Sequence, residues 1–403
     1  MRILLSGGGT GGHVYPGLAV ADALADFGFQ TSDIGLGRAG EDQILSSQSA
    51  IRDLAGRKQG KSVDPIHLLW VGSVDGLERK LVRRAGIPFR SVAARGVHGL
   101  APWRAIPNLV QILRGLGQAW RAVGEFRPHA CFVTGGYVSV PVALAAWMRR
   151  VPVLVYLPDI EPGQAVRFIS HFARRVAVTT EDSGAYFPAS KVVVTGYPVR
   201  AELRGMDEAP AQQKLELDSM LPTLLVMGGS RGARSINRAL ADVLEELLKE
   251  CQIIHISGRL DAEWVTARGE GLPMELRGRY HPHAYLHSEE MAQALRAADL
   301  VVARAGAATL GEFPAMGLPS ILVPYPYAGR HQEINADYLA ERGAAIRLDD
   351  ERLDKDLLPT VRRLLADKEA RRRMGERAQA LARPDAARRI GRELLQLAGA
   401  AGG

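Results

Sequence analysis

Cysteine is scarce in this chain: Cys131 and Cys251 are the only two among 403 residues. They stand far apart and in no ligand-like spacing. Neither a disulfide framework nor a metal cluster is expected, which fits a reducing compartment. Long apolar runs are missing as well. None reaches the ~18 residues that span a bilayer, and an opening of one arginine followed by glycines is not expected to be a signal peptide. Charge of one sign is also lacking. With 51 basic and 44 acidic residues the net charge is +7, too weak and dispersed to point to nucleic acid. It is compatible with anionic lipid or a phosphate-bearing substrate. What is left is an ordinary globular composition, 47% hydrophobic and 24% charged, long enough for two or three domains of about 150 residues each.

Glycine is where the chain is rich. The start reads MRILLSGGGTGGHVYPGLAVADAL. Ile3-Leu4-Leu5 reads as a buried strand, Ser6–Gly12 as a turn, and Pro16 opens an apolar-periodic helix. Glycines let a backbone approach a ligand closely, and a helix start points free N–H groups at it. His13 adds a group that titrates near neutrality. Gly7–Gly12 fits the G-x-G-x-x-G spacing of a dinucleotide site, yet no clean strand ending in an acid follows about 20 residues on. From this segment alone, dinucleotide binding and another α/β site both stay open.

Short apolar runs alternate with helical stretches along the whole chain, which predicts parallel α/β structure. Strands are expected at Arg2–Ser6, His67–Val71, Phe89–Val92, Ala130–Thr134, Val153–Tyr156, Arg175–Val178 and Lys191–Thr195. A second series is expected at Thr223–Met227, Gln252–Ser257, Arg279–His281, Leu300–Ala303, Ser320–Val323 and Ala345–Arg347. This gives two doubly wound halves joined near Gly196-Tyr197-Pro198, with the ligand cleft between them. Ser32–Pro65 breaks the rhythm. It is polar with a basic run, Gly56–Lys61, and reads as a solvated insertion.

Two further clusters carry chemistry. In the second half, Leu224–Met227 runs into Gly228-Gly229-Ser230-Arg231-Gly232-Ala233 before a helix, and Ser230 can donate its hydroxyl to a phosphate. Later, Arg304 precedes a run of small residues in which the amides of Ala307, Ala308 and Thr309 can meet an anion. Glu312, expected one turn into that helix, can accept bonds from ribose hydroxyls. His331 and Gln332, read as loop residues, and Asn335 offer neutral partners for sugar hydroxyls. Together these describe a nucleotide-sugar donor site.

With these residues in view, the chain resembles the MurG family. Its members transfer N-acetylglucosamine from UDP-GlcNAc to undecaprenyl-pyrophosphoryl-MurNAc-pentapeptide, turning lipid I into lipid II. The resemblance covers nearly all of the chain except Ser32–Pro65. It rests on Gly8–Ala21, Thr134–Ser139, Gly228–Ala233, Arg304–Glu312, His331–Asn335, and Gly196–Arg200 as a form of G-N-P-V-R. The resemblance implies a GT-B fold, two Rossmann-like doubly wound domains with an interdomain cleft. Residues 1–197 would hold the acceptor and the membrane, and 198–384 the donor. Residues 385–403 would form a helix returning to the first domain. It implies an inverting displacement with His13 as base. It also implies donor contacts from Thr10, Gly11, Gly12, Arg200, Ser230, Arg304, Ala307, Ala308, Thr309, Glu312, His331, Gln332 and Asn335. The acceptor would meet Gly8, Gly9, Gly135, Gly136 and Tyr137. No cofactor and no obligatory metal is implied; UDP-GlcNAc is a substrate.

One departure stands out. The family's H-E-Q-N is replaced by Tyr156-Leu157-Pro158-Asp159. Asp159 is expected near His13, raising its pKa and orienting it, or acting as a second base. A paralogue with a different acceptor, a UDP-GlcNAc epimerase of the same fold and a nucleotide-sugar sensor are the competing readings. A lipid acceptor requires membrane docking. In Gly99–Gly124, Leu109, Ile112, Leu113, Leu116 and Trp120 share a helical face, with Trp103, Arg104, Arg114 and Arg121 at its edges. The resemblance implies a peripheral place on the cytoplasmic face of the membrane, with cell-wall synthesis proteins as neighbours.

Overall fold

Ala130–Val133 and Val153–Leu157 are buried at every position. Strands with no polar face belong inside a parallel sheet covered on both sides by helices, and that is how the chain folds. The structure is a computed structural model. It describes residues 1–9, 11–27, 65–74, 76–94, 105–203, 208–229, 232–326 and 330–400, with backbone alone at 77, 105–112 and 208–209. The insertion read at Ser32–Pro65 lies outside the described residues except for Pro65. Thr10, Trp103, Arg104, Ser230 and Arg231 also lie outside them.

The first sheet has β1 (Arg2–Ser6), β2 (His67–Ser73), β3 (Phe89–Val92), β4 (Ala130–Val133), β5 (Val153–Leu157), β6 (Arg175–Val178) and β7 (Val192–Val194). Its order is β3-β2-β1-β4-β5-β6-β7. The second has β8 (Thr223–Met227), β9 (Gln252–Ile256), β10 (Tyr280–His283), β11 (Leu300–Arg304), β12 (Ser320–Val323) and β13 (Ala345–Arg347), in the order β10-β9-β8-β11-β12-β13. Every pairing in both is parallel. These are the two doubly wound halves expected from the sequence.

The order reverses at β1 in one sheet and at β8 in the other. Ser6 pairs with Val71 on one side and Val133 on the other, and Met227 pairs with Ile256 and Ala303. Each glycine turn therefore leaves from a switch point, where the crevice of such a sheet opens.

Two segments tie the halves together. Tyr197 and Val199, just past β7, are buried in a core made largely of second-half residues, and so is Ile160. In return the last helix, Ala386–Ala400, inserts Ala387, Ile390, Leu394 and Ala398 among Ile3, Leu5, Leu24 and Phe132 of the first half.

Candidate active site

The five residues of β1 lead into Gly7-Gly8-Gly9 and then the helix Gly11–Ala25, whose first turn carries His13. The turn after β4 crosses directly beside it. Gly135 and Gly136 both have left-handed backbone, φ +102 and +81. A Cβ on Gly135 would lie 2.9 Å from His13 Cδ2, and one on Gly136 would run into the Gly8 carbonyl. Only glycine allows the two turns to close this tightly. Thr134 Oγ1 donates to the His13 carbonyl (2.5 Å), and Ser139 Oγ to the Gly135 carbonyl (2.6 Å). Tyr137, at the rim, is exposed.

Glu78 lies under the same turn and was not singled out from the sequence. It is 0% exposed. Its carboxylate accepts from the Ser73 amide (2.9 Å), the Ser73 hydroxyl (2.5 Å) and the Gly9 amide (3.5 Å). A buried carboxylate needs such partners to offset desolvation. The available signal was one acid heading the otherwise basic helix Leu77–Arg84.

His13 is half-buried. Burial pushes its pKa below the ordinary imidazole value. Asp159 pulls it back up and His331 pushes it further down. The net direction is downward, opposite to the expectation from Asp159 alone, because desolvation outweighs the nearby carboxylate.

The opposite wall comes from the second half, and several expected donor contacts are already taken there. Ala307–Leu310 is a short 3-10 turn, and both the amide and the hydroxyl of Thr309 go to the Gly306 carbonyl (2.9 and 2.8 Å). That leaves the amides of Ala307 and Ala308 at its head. Glu312 opens a separate helix after Gly311 rather than sitting one turn inside the first. Its side chain is 5% exposed and accepts from Arg200 Nε (2.8 Å). The Arg200 guanidinium in turn lies 4.5 Å from the centre of the Tyr15 ring. Arg304 is committed to Asp350 (2.5 Å), Ser235 Oγ (2.6 Å) and the carbonyls of Val323 and Pro324. These contacts tie it to the end of β12 and to the segments that carry Ser235 and Asp350. The spacing of the segment could not reveal these acceptors, which come from three other parts of the chain.

His331 and Gln332 begin the helix His331–Glu341 and are not loop residues. The side-chain Oε1 of Gln332 accepts from the Tyr325 amide (3.0 Å), and His331 Nδ1 is buried without a hydrogen-bond partner among the described residues. Asn335 is fully buried and bonded across the cleft to Asp159 (2.9 Å), which takes it out of the set of free sugar partners. Tyr15 and Tyr285 also meet across the cleft, hydroxyl to hydroxyl at 3.2 Å. Among the described residues no group of His, Cys, Asp and Glu is arranged to hold a metal ion.

So the two glycine turns, His13, Asp159 and the segment from Arg304 to Asn335 converge on one cleft. The N-terminal domain of glycosyltransferase family 28 matches residues 3–65 and 57–178, and the C-terminal domain of that family matches 223–390. The chain belongs to glycosyltransferase family 28. A relative from Roseiflexus sp. (strain RS-1) is 43% identical over 97% of this chain and 93% of its own length. It is named UDP-N-acetylglucosamine--N-acetylmuramyl-(pentapeptide) pyrophosphoryl-undecaprenol N-acetylglucosamine transferase. A relative of the same name from Bacillus subtilis (strain 168) is 33% identical over 97% of the chain and 98% of its own length. Among solved structures, Acinetobacter baumannii MurG superposes with a TM-score of 0.69 at 25% identity, covering 98% of this chain and 99% of that one. This family 28 member is therefore a hexosyltransferase with the GT-B fold. The UDP-GlcNAc 2-epimerase from Neisseria meningitidis, bound to UDP-GlcNAc, also superposes, at a TM-score of 0.64, with 98% of this chain and 100% of that one covered. At 12% identity that likeness shows the fold alone.

Proposed function

We propose that this glycosyltransferase transfers N-acetylglucosamine from UDP-GlcNAc to the MurNAc-pentapeptide of undecaprenyl-pyrophosphate-linked lipid I, forming lipid II with inversion at the anomeric carbon. The observation that carries the mechanism is His13, held at the first turn of its helix between the two glycine turns and facing Asp159. Its lowered pKa leaves the imidazole neutral at pH 7, with a lone pair for the acceptor hydroxyl. Asp159 opposes the positive charge that develops as the proton arrives.

The donor lies against the second half. The amides of Ala307 and Ala308, with Gly228 and Gly229, meet the diphosphate as charge develops on UDP. His331 and Gln332 face the hexose. Arg200 and Glu312 act as one pair beneath Tyr15, so either reaches the donor only if that pair opens. Gly8, Gly9, Gly135, Gly136 and Tyr137 form the acceptor wall.

The acceptor's lipid places the enzyme on the cytoplasmic face of the membrane, docked through the first half. Among the described residues no helix is long and apolar enough to cross a membrane. Leu113 and Trp120 on the helix Ala105–Phe126 are 58% and 39% exposed, whereas Leu116 packs on the core. Arg149 stacks on Trp120 at 4.0 Å, and Trp147, Phe168 and Phe172 continue the aromatic surface next to it. Aromatic rings edged with arginine suit a lipid interface.

The test is a transfer assay with UDP-GlcNAc and a lipid I analogue. His13→Ala is expected to lose about 10²- to 10⁴-fold in kcat, the usual contribution of a general base. Full activity in that variant removes His13 from the mechanism. N-acetylmannosamine formed without acceptor points to an epimerase instead.

A further inference from the structure

Asn335 has every hydrogen-bonding atom of its amide engaged. Its Nδ2 donates to Asp159 Oδ1 (2.9 Å) and to the Ala305 carbonyl (3.1 Å), and its Oδ1 accepts from the Ile160 amide (3.1 Å). The partners fix which end is oxygen and which is nitrogen. Two of the three contacts cross from the second half of the chain to the first. Ile160 strengthens the crossing, because its side chain is 4% exposed and lies in the core of the second half. The stretch that follows β5 is thus seated in the donor half by one apolar anchor and one amide.

Asn335 sits in the first turn and a half of the helix that begins with His331 and Gln332. Asp159, its partner, acts electrostatically on His13, and His331 faces His13 as well. Tyr156 and Tyr197 are the other titratable groups facing Asp159, with the Arg200–Glu312 pair beyond Tyr197.

We propose that Asn335 is a positioning residue that fixes the Asp159 carboxylate beside His13 only when the donor half is seated against Leu157–Ile160. The base is then competent when the halves are docked around the donor, and weak when they part. The proposal rests on the reading of His13 as base. It adds a coupling across the cleft that no single segment contains.

The sign of the effect is fixed. Asp159 is the group that raises the pKa of His13, against burial and His331. Releasing or neutralising it lowers that pKa further. The acid limb of the rate profile must then move to lower pH, while the maximal rate falls because the base is weaker.

The experiment measures kcat and donor KM against pH for the full chain, with UDP-GlcNAc and a lipid I analogue. It compares wild type with Asn335→Ala, Asn335→Ser, Asp159→Asn and the double variant Asp159→Asn/Asn335→Ala. Asp159→Asn can keep the amide contact while removing the charge, so it reads the charge even if the Asn335 variants fold poorly. The expected result is a kcat roughly tenfold lower or more, as for loss of a preorganised electrostatic partner. Donor KM stays within about twofold, as for an interaction made in the transition state. The acid limb moves down, and the double variant is no slower than Asp159→Asn, as for residues acting as a unit. An unmoved acid limb in Asp159→Asn overturns the proposal. So does an Asn335→Ala or Asn335→Ser enzyme whose loss appears as raised donor KM with the limb in place. Full activity in His13→Gln would instead sink the base reading and leave Asn335 a structural contact.

Discussion

His255 shows how one residue can set the acid tolerance of a domain. It is buried with Nδ1 on the Tyr280 hydroxyl (2.7 Å) and Nε2 on Asn237 Oδ1 (3.0 Å). Asn237 Nδ2 is held by the Ser257 carbonyl and by Asp261, so its oxygen must accept and Nε2 of His255 must carry the proton. Burial pushes the pKa down to about 4, and His13 shifts the same way. The unfolded chain takes up protons at these histidines near pH 6.5, while the folded chain does not. Stability from them is therefore complete above pH 6.5 and is lost as pH falls, for His255 towards pH 4. For His255 alone that amounts to about 3 kcal/mol. The urea midpoint of the wild type should drop between pH 7 and pH 4.5. His255→Gln should start lower and fall less steeply; a wild-type slope in that variant would refute the assignment.

At the scale of elements, the helix Ala105–Phe126 divides its faces: Ala119, Ala122, Val123 and Phe126 go to the core and Leu113 and Trp120 to the outside. Leu113→Asp combined with Trp147→Asp should weaken binding to anionic phospholipid vesicles by roughly tenfold or more, from lost apolar burial. Transfer to a water-soluble acceptor should persist, and unchanged vesicle binding would rule this face out. The strands and both glycine turns were legible in the sequence because their signals are local: an apolar run, then glycines, then a helical period. The side-chain assignments were less so. Arg304 read as a donor contact, and its bonds to Asp350 and Ser235 were not visible in the sequence. Asn335 read as a sugar contact, and its bond to Asp159 was not visible in the sequence. Glu78 showed only as the single acid of a basic helix. Arg304 and Asn335 depend on partners many residues away, which no spacing within one segment can specify.

For the molecule as a whole, the halves do not fold as separate parcels. Leu394 is completely buried among Ile3, Leu5 and Leu24 although it belongs to the final helix. Leu394→Ala should cost about 2–5 kcal/mol, as for other large core truncations. Amide exchange would show protection lost first in β1 and β4. Loss confined to β8–β13 would contradict this packing. The returning helix also has a meaning in time. On a ribosome adding about 5–20 residues per second, the first sheet emerges roughly 10–40 s before residues 386–400 can reach it. During that interval the nascent sheet waits with an uncovered flank, and a message cut short near its end would release that flank for good.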